Sequence, residues 1–87
     1  MEPKIEIYTW SSCPYCIQAK ALLDEKGVRY TEYGIDGDES ARSKMAKRAN
    51  GRRSVPQIFI NDRHIGGCDD IYELEDKGEL DLLLQSS

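Results

Sequence analysis

Lys4-Ile5-Glu6-Ile7-Tyr8-Thr9-Trp10-Ser11-Ser12-Cys13-Pro14-Tyr15-Cys16 is the stretch on which the reading of the whole chain turns. Residues 4–9 alternate polar and apolar side chains and include β-branched Ile5 and Ile7, the pattern of a strand with one buried face. A short loop leads to Cys13-Pro14-Tyr15-Cys16. Pro14 suits the first position of a helix, where a missing N–H costs nothing, so Cys13 is expected at the N-cap. The helix then runs to Lys26, with Ala19, Leu22 and Leu23 on its buried face and Gly27 as its C-terminal cap.

Outward from there, residues 28–33 read as a second strand and 34–38 as a loop rich in Gly and Asp. A second helix is expected over 39–50, turning Ala41, Met45 and Ala49 to the sheet and Arg42, Lys44, Lys47 and Arg48 to solvent. Residues 57–60 form a short apolar strand, Asn61-Asp62 a tight turn, and Arg63-His64-Ile65 the return strand of a hairpin, with His64 exposed on it. Gly66-Gly67 breaks the hairpin, and a last helical region starts at Asp69 with an interruption near Gly78. The order is β-α-β-α-β-β-α. The first β-α-β unit implies a parallel, right-handed crossover and the hairpin adds antiparallel strands, giving an α/β domain with a mixed four-stranded sheet flanked by helices. With no repeat, linker or low-complexity tract, residues 1–87 read as a single domain.

Composition narrows the function classes. Of 87 residues, 39% are hydrophobic and 32% charged, as in a soluble globular chain. The longest aliphatic run, Leu82-Leu83-Leu84, is far short of a membrane span, and residues 1–9 alternate charge and apolar residue rather than forming a signal peptide. A net charge of −4 argues against nucleic acid as a partner. An odd count of 3 cysteines without an export signal points to chemistry or metal in a reducing, cytoplasmic setting rather than to a disulfide scaffold.

Position gives Cys13 and Cys16 distinct roles. At an N-cap, the Cys13 sulfur faces the free N–H groups of Tyr15 and Cys16 and the positive end of the helix dipole, all of which favour thiolate, the nucleophilic form. Cys16 lies one turn further in, within reach of a mixed disulfide on Cys13, so Cys13 attacks and Cys16 resolves. Two other readings compete. In one, both cysteines are simply buried small residues; in the other, Cys13, Cys16, His64 and Cys68 supply four zinc ligands, although the last two flank a Gly-Gly break rather than share a helix face.

Taken together, Cys13-Pro14-Tyr15-Cys16 after a strand, Ser54-Val55-Pro56 before the next one, and Gly66-Gly67-Cys68-Asp69-Asp70 opening the last helices resemble the dithiol glutaredoxins, closest to the bacterial type with Cys-Asp-Asp after the glycine pair. The match runs from about Lys4 to Leu84. The resemblance implies a thioredoxin fold and a glutathione-dependent thiol–disulfide oxidoreductase that reduces disulfide-containing and glutathionylated proteins. Glutathione would be a co-substrate, with no tightly bound cofactor and no metal. It implies a cis bond at Pro56 and a role for the Val55 backbone in pairing with the cysteinyl part of glutathione. Tyr15 would line the groove, and Gly67, Cys68 and Asp69 would hold the γ-glutamyl end at a helix N-terminus, where free N–H groups suit an anion. Trp10 departs from the family's common Lys, leaving Arg52 and Arg53 as candidates for the missing positive charge; Ser54 stands for the usual Thr. Some relatives instead carry an iron–sulfur cluster between two chains, but Pro14 and Cys16 depart from their pattern. Nothing argues for an oligomer, and a monomer is expected.

Overall fold

Strand propensity and alternation build the centre of the protein. In the computed structural model, which describes residues 3–85, β1 (Ile5–Thr9) and β3 (Gln57–Ile60) pair antiparallel in the middle of a four-stranded sheet of order β2-β1-β3-β4. The outermost two residues at each end of the expected 1–87 domain lie outside the described range. β2 (Thr31–Gly34) runs parallel to β1 on one edge, and β4 (Arg63–Gly66) completes the hairpin on the other. Asn61 and Asp62, both at positive φ (52° and 66°), form the two-residue turn that matches strand twist.

Helices cover both faces. α1 (Pro14–Glu25), α3 (Cys68–Asp76) and α4 (Leu80–Gln85) enclose one face, where Ile5, Ile7, Ile58 and Ile60 meet Ala19, Leu22, Leu23, Ile71, Leu80 and Leu84. α2 (Glu39–Arg48) ends with Asn50 in the left-handed region (φ 57°), and Gly51 N–H donates back to the Ala46 carbonyl at 2.8 Å, a Schellman-type stop. Arg48 of α2 reaches the other face, where its guanidinium lies 4.0 Å from the centroid of the Phe59 ring and 5.9 Å from that of Tyr8.

The element order agrees with the sequence reading, and the differences have physical causes. β2 starts at Thr31, not 28, because Val28 and Tyr30 turn their side chains onto the end of the core instead of entering the ladder. α2 stops at Arg48 rather than residue 50, since Asn50 supplies the left-handed turn. Gly66 is the last residue of β4 and not its break, because it still pairs with Ile58 across a bulge in the ladder. α3 starts at Cys68, one residue earlier than expected, with Gly67 as its N-cap.

The basic residues of α2 are not a uniformly solvated face. Arg48 donates to both carboxylate oxygens of Glu6 (3.0 and 3.2 Å) and to the Tyr8 hydroxyl (3.0 Å), and Arg42 covers the Trp10 ring at 4.5 Å. His64 is also not an exposed hairpin residue: it is half-buried, 5.2 Å from the Phe59 ring centroid and 2.7 Å from the Gln57 amide oxygen through its Nε2.

Candidate active site

The end of β1 delivers Cys13 to the start of α1. Cys13 caps the helix with its own side chain: Cys16 N–H donates to its Sγ at 3.2 Å, and Pro14 occupies the first turn. Of the two N–H donors expected from sequence, Cys16 makes the bond. The Cys13 sulfur therefore sits on a backbone dipole aligned with the helix axis, an arrangement that stabilises negative charge on sulfur. On its other side the thiol faces the Val55 carbonyl at 3.8 Å, and the Val55–Pro56 bond is cis.

Cys13 and Cys16 differ in surroundings. Cys13 is partly exposed, whereas Cys16 is fully buried. Burial, first, and then the neighbouring Cys13 sulfur push the Cys16 thiol up to about 12. Cys16 is thus a protonated thiol held behind an accessible one.

Beside Cys13 lies a groove of about 200 Å³ lined by Tyr15, Arg52, Ser54, Val55, Pro56, Gly67, Cys68, Asp69 and Asp70. All six positions expected to contact glutathione (Tyr15, Val55, Pro56, Gly67, Cys68 and Asp69) fall on this one groove. Tyr15 is 59% exposed and stands at its rim. The floor depends on the glycine pair: a Cβ on Gly67 would lie 3.2 Å from the Pro56 carbonyl oxygen, and one on Gly66 (φ 121°) would overlap the Asp70 carboxylate. The N–H groups of the first turn of α3 have no partner within the helix, and the residues that carry them, Cys68, Asp69 and Asp70, line the groove. Cys68 is buried there, and burial, followed by Asp69 and Cys13, raises its thiol above the usual value.

Three features of the site take their form only from the structure. Asp70 accepts from Gly67 N–H at 2.8 Å and from Arg52 at 2.9 Å; the Gly67 bond, ahead of Arg52, holds its carboxyl below the usual range. The signal was present, since an acidic residue three positions after an N-cap is a capping pattern. Arg52 and Arg53, equal candidates in sequence, separate: Arg52 lines the groove, and Arg53 pairs with Glu39. Trp10 packs under Arg42, with its Nε1 buried. Among the described residues no His, Cys, Asp and Glu side chains form a group of three or more able to hold a metal ion, and no helix is long and apolar enough to cross a membrane.

A family model for glutaredoxin matches residues 5–65. The chain belongs to the glutaredoxin family. A probable glutaredoxin of Synechocystis is 68% identical over 83 residues, 95% of this chain and 94% of that one. Glutaredoxin 3 of Escherichia coli (strain K12) is 57% identical over 81 residues, 93% of this chain and 96% of that protein. The crystal structure of a buckwheat glutaredoxin–glutathione complex superposes with a TM-score of 0.87 at 30% identity, covering 94% of this chain and 76% of that one. The fold is accordingly thioredoxin-like, as the resemblance implied, and the protein is a glutathione-dependent thiol oxidoreductase.

Proposed function

We propose that the protein is a glutathione-disulfide oxidoreductase in which Cys13 is the nucleophile, Cys16 the resolving thiol, and the groove beside them the glutathione site. The contrast between an accessible sulfur at a helix N-terminus and a buried thiol behind it carries this reading. In the monothiol route the Cys13 thiolate attacks the glutathione sulfur of a protein–glutathione disulfide. The protein leaves as its thiol after taking up a proton, and glutathione stays on Cys13. A second glutathione thiolate attacks that glutathione sulfur, releasing oxidised glutathione and regenerating the Cys13 thiolate. Cys16 takes no part, which accords with a thiol too weakly acidic to compete.

In the dithiol route Cys13 attacks a protein disulfide. Cys16 then loses its proton, attacks Cys13 Sγ and expels the reduced protein, leaving a Cys13–Cys16 disulfide that two glutathiones reduce. Glutaredoxin potentials of roughly −200 to −230 mV lie near the cytosolic glutathione poise, so the exchange is reversible there. The γ-glutamyl carboxylate is assigned to the free N–H groups of Cys68 and Asp69, and its amino group to the Asp69 carboxylate. The Val55 backbone takes the cysteinyl unit against Pro56, Tyr15 closes the rim, and Arg52 faces the glycine carboxylate. Glutathionylated and disulfide-containing cytoplasmic proteins are the proposed substrates of a monomer acting as one domain.

Glutathione-coupled turnover of a glutathionylated peptide tests the assignment. Cys13→Ser should fall to background; Cys16→Ser should keep the peptide activity and lose reduction of a protein disulfide. Activity in Cys13→Ser, or an inactive wild type, would overturn it.

A further inference from the structure

The loop that carries Val55 is tied to the far side of the sheet by a chain of side-chain hydrogen bonds. Gln57, fully buried, donates from Nε2 to the Ser54 carbonyl at 3.0 Å and lies 3.3 Å from the Ser54 hydroxyl. Its amide oxygen lies 2.7 Å from His64 Nε2. The amide nitrogen of Asn50, in the turn after α2, lies 3.3 Å from His64 Nδ1.

Donor and acceptor types fix the direction of this chain. Because Gln57 Nε2 is committed to Ser54, its Oε1 must accept, so His64 Nε2 carries the hydrogen. Nδ1 then holds the lone pair and accepts from Asn50. Burial, then the Arg52 charge, hold the imidazole below its usual pKa against the opposing pull of Asp70, consistent with the neutral ring this pattern requires.

We propose that His64 is a positioning residue for the glutathione site: by donating to Gln57 it sets which end of that buried amide faces Ser54, and so holds the Ser54–Val55 peptide in place. The inference rests on the assignment of the groove to glutathione. Without the imidazole donor, Gln57 Oε1 is left buried and unpaired, or the amide turns and sets its oxygen against the Ser54 carbonyl. Either outcome displaces the peptide that lines the groove. Cys13 touches this segment only through the long 3.8 Å approach to the Val55 carbonyl and keeps its cap bond from Cys16 N–H in α1, so loss of His64 weakens substrate binding without disabling the nucleophile.

The test is His64→Phe, which keeps a ring against Phe59 but has no donor, beside His64→Gln, whose amide restores a donor at the same reach. With a glutathionylated peptide and glutathione, His64→Phe should raise KM roughly fivefold, the size one neutral hydrogen bond carries, with kcat within about twofold. His64→Gln should return KM to within about twofold of wild type. A folded His64→Phe with wild-type KM, or loss confined to kcat, would overturn the proposal. The backbone amide resonances of Ser54 and Val55 give a readout independent of turnover: they should shift in His64→Phe and return in His64→Gln. An inactive wild type would refute the glutathione assignment, while those resonances would still decide the positioning role. Should His64→Phe not fold, Asn50→Gly, which keeps the left-handed turn and removes the anchor of the ring, should show the same KM shift at smaller size; no shift there would refute it.

Discussion

The two faces of the sheet are both covered, but by different kinds of interaction. Under α1, α3 and α4, Ile5, Ile7, Ile58 and Ile60 meet other aliphatic side chains, and burial of apolar surface holds that face. Under α2, alternate residues of the same strands present Glu6, Tyr8, Gln57 and Phe59, and Arg48 joins them. Glu6 is only 5% exposed, yet Arg48, the Tyr33 hydroxyl and, more distantly, Lys4 surround its carboxylate. The first face requires its volume to be filled but no particular bonding direction, because its driving force is non-directional. The second depends on each partner being present, since an unpaired buried carboxylate is costly.

The largest effect should come from the aliphatic face. Ile58 is fully buried in the aliphatic cluster, and Ile58→Ala removes its side chain beyond Cβ and leaves a cavity. A loss of about 3–4 kcal/mol in unfolding free energy is expected by urea denaturation, with little dependence on pH. A loss below about 1 kcal/mol would mean that this face can collapse around the gap.

The polar face should answer to pH where the aliphatic one does not. Arg48→Met keeps most of the stem over Phe59 and removes the charge that pairs with Glu6. About 2 kcal/mol should be lost at pH 7, as for hydrogen bonds to a charged group. The hydrogen bond from Arg48, ahead of the opposing effect of burial, holds the Glu6 carboxyl below its ordinary value of 4.5. A depressed carboxyl contributes stability above its unfolded pKa and loses it as pH falls through the folded one. The gap between wild type and Arg48→Met should therefore narrow progressively as pH falls from about 5 to below the ordinary carboxyl value of 4.5. Urea midpoints of both proteins across that range check it; a constant gap would show that Arg48 acts through packing alone.

The same contrast explains what could be read from the sequence. Period-2 isoleucines and the i, i+3, i+4 spacing of Ala19, Leu22 and Leu23 report burial directly, so β1, β3 and α1 were legible, and with them the position of Cys13 at a helix start. Cys-Pro-Tyr-Cys, the Ser-Val-Pro turn and the Gly-Gly-Cys-Asp-Asp segment marked the walls of the groove. Arg48, His64 and Asn50 were not legible in the same way. A charged residue on a helix and a histidine in a hairpin look solvated until a partner from a distant segment is known: Glu6 is 42 residues from Arg48, and Asn50 lies 14 from His64. Local pattern carries no information about such pairs. Val28 and Tyr30 misled for the opposite reason, because an apolar alternation that covers the end of a core resembles one that joins a ladder.

The smallest effect is expected where α2 meets the loop before Cys13. Arg42 lies over the Trp10 ring, and its Nε donates to the Arg53 carbonyl at 3.0 Å, so one side chain spans α2, the Trp10 loop and the segment entering Ser54. Its surroundings are more open than those of Arg48, and cation–π contacts at exposed sites contribute about 0.5–1 kcal/mol. Arg42→Ala should therefore cost about that much stability. Trp10 is the chain's single tryptophan, so its fluorescence reports the contact directly, and uncovering the ring should shift emission to longer wavelength. Neither Trp10 nor Arg42 lines the groove beside Cys13, which places any change in turnover within about twofold. If Arg42→Ala instead destabilised the protein as much as Arg48→Met, burial of the partner would not be what separates the two arginines, and the ordering of the polar face by depth would fail.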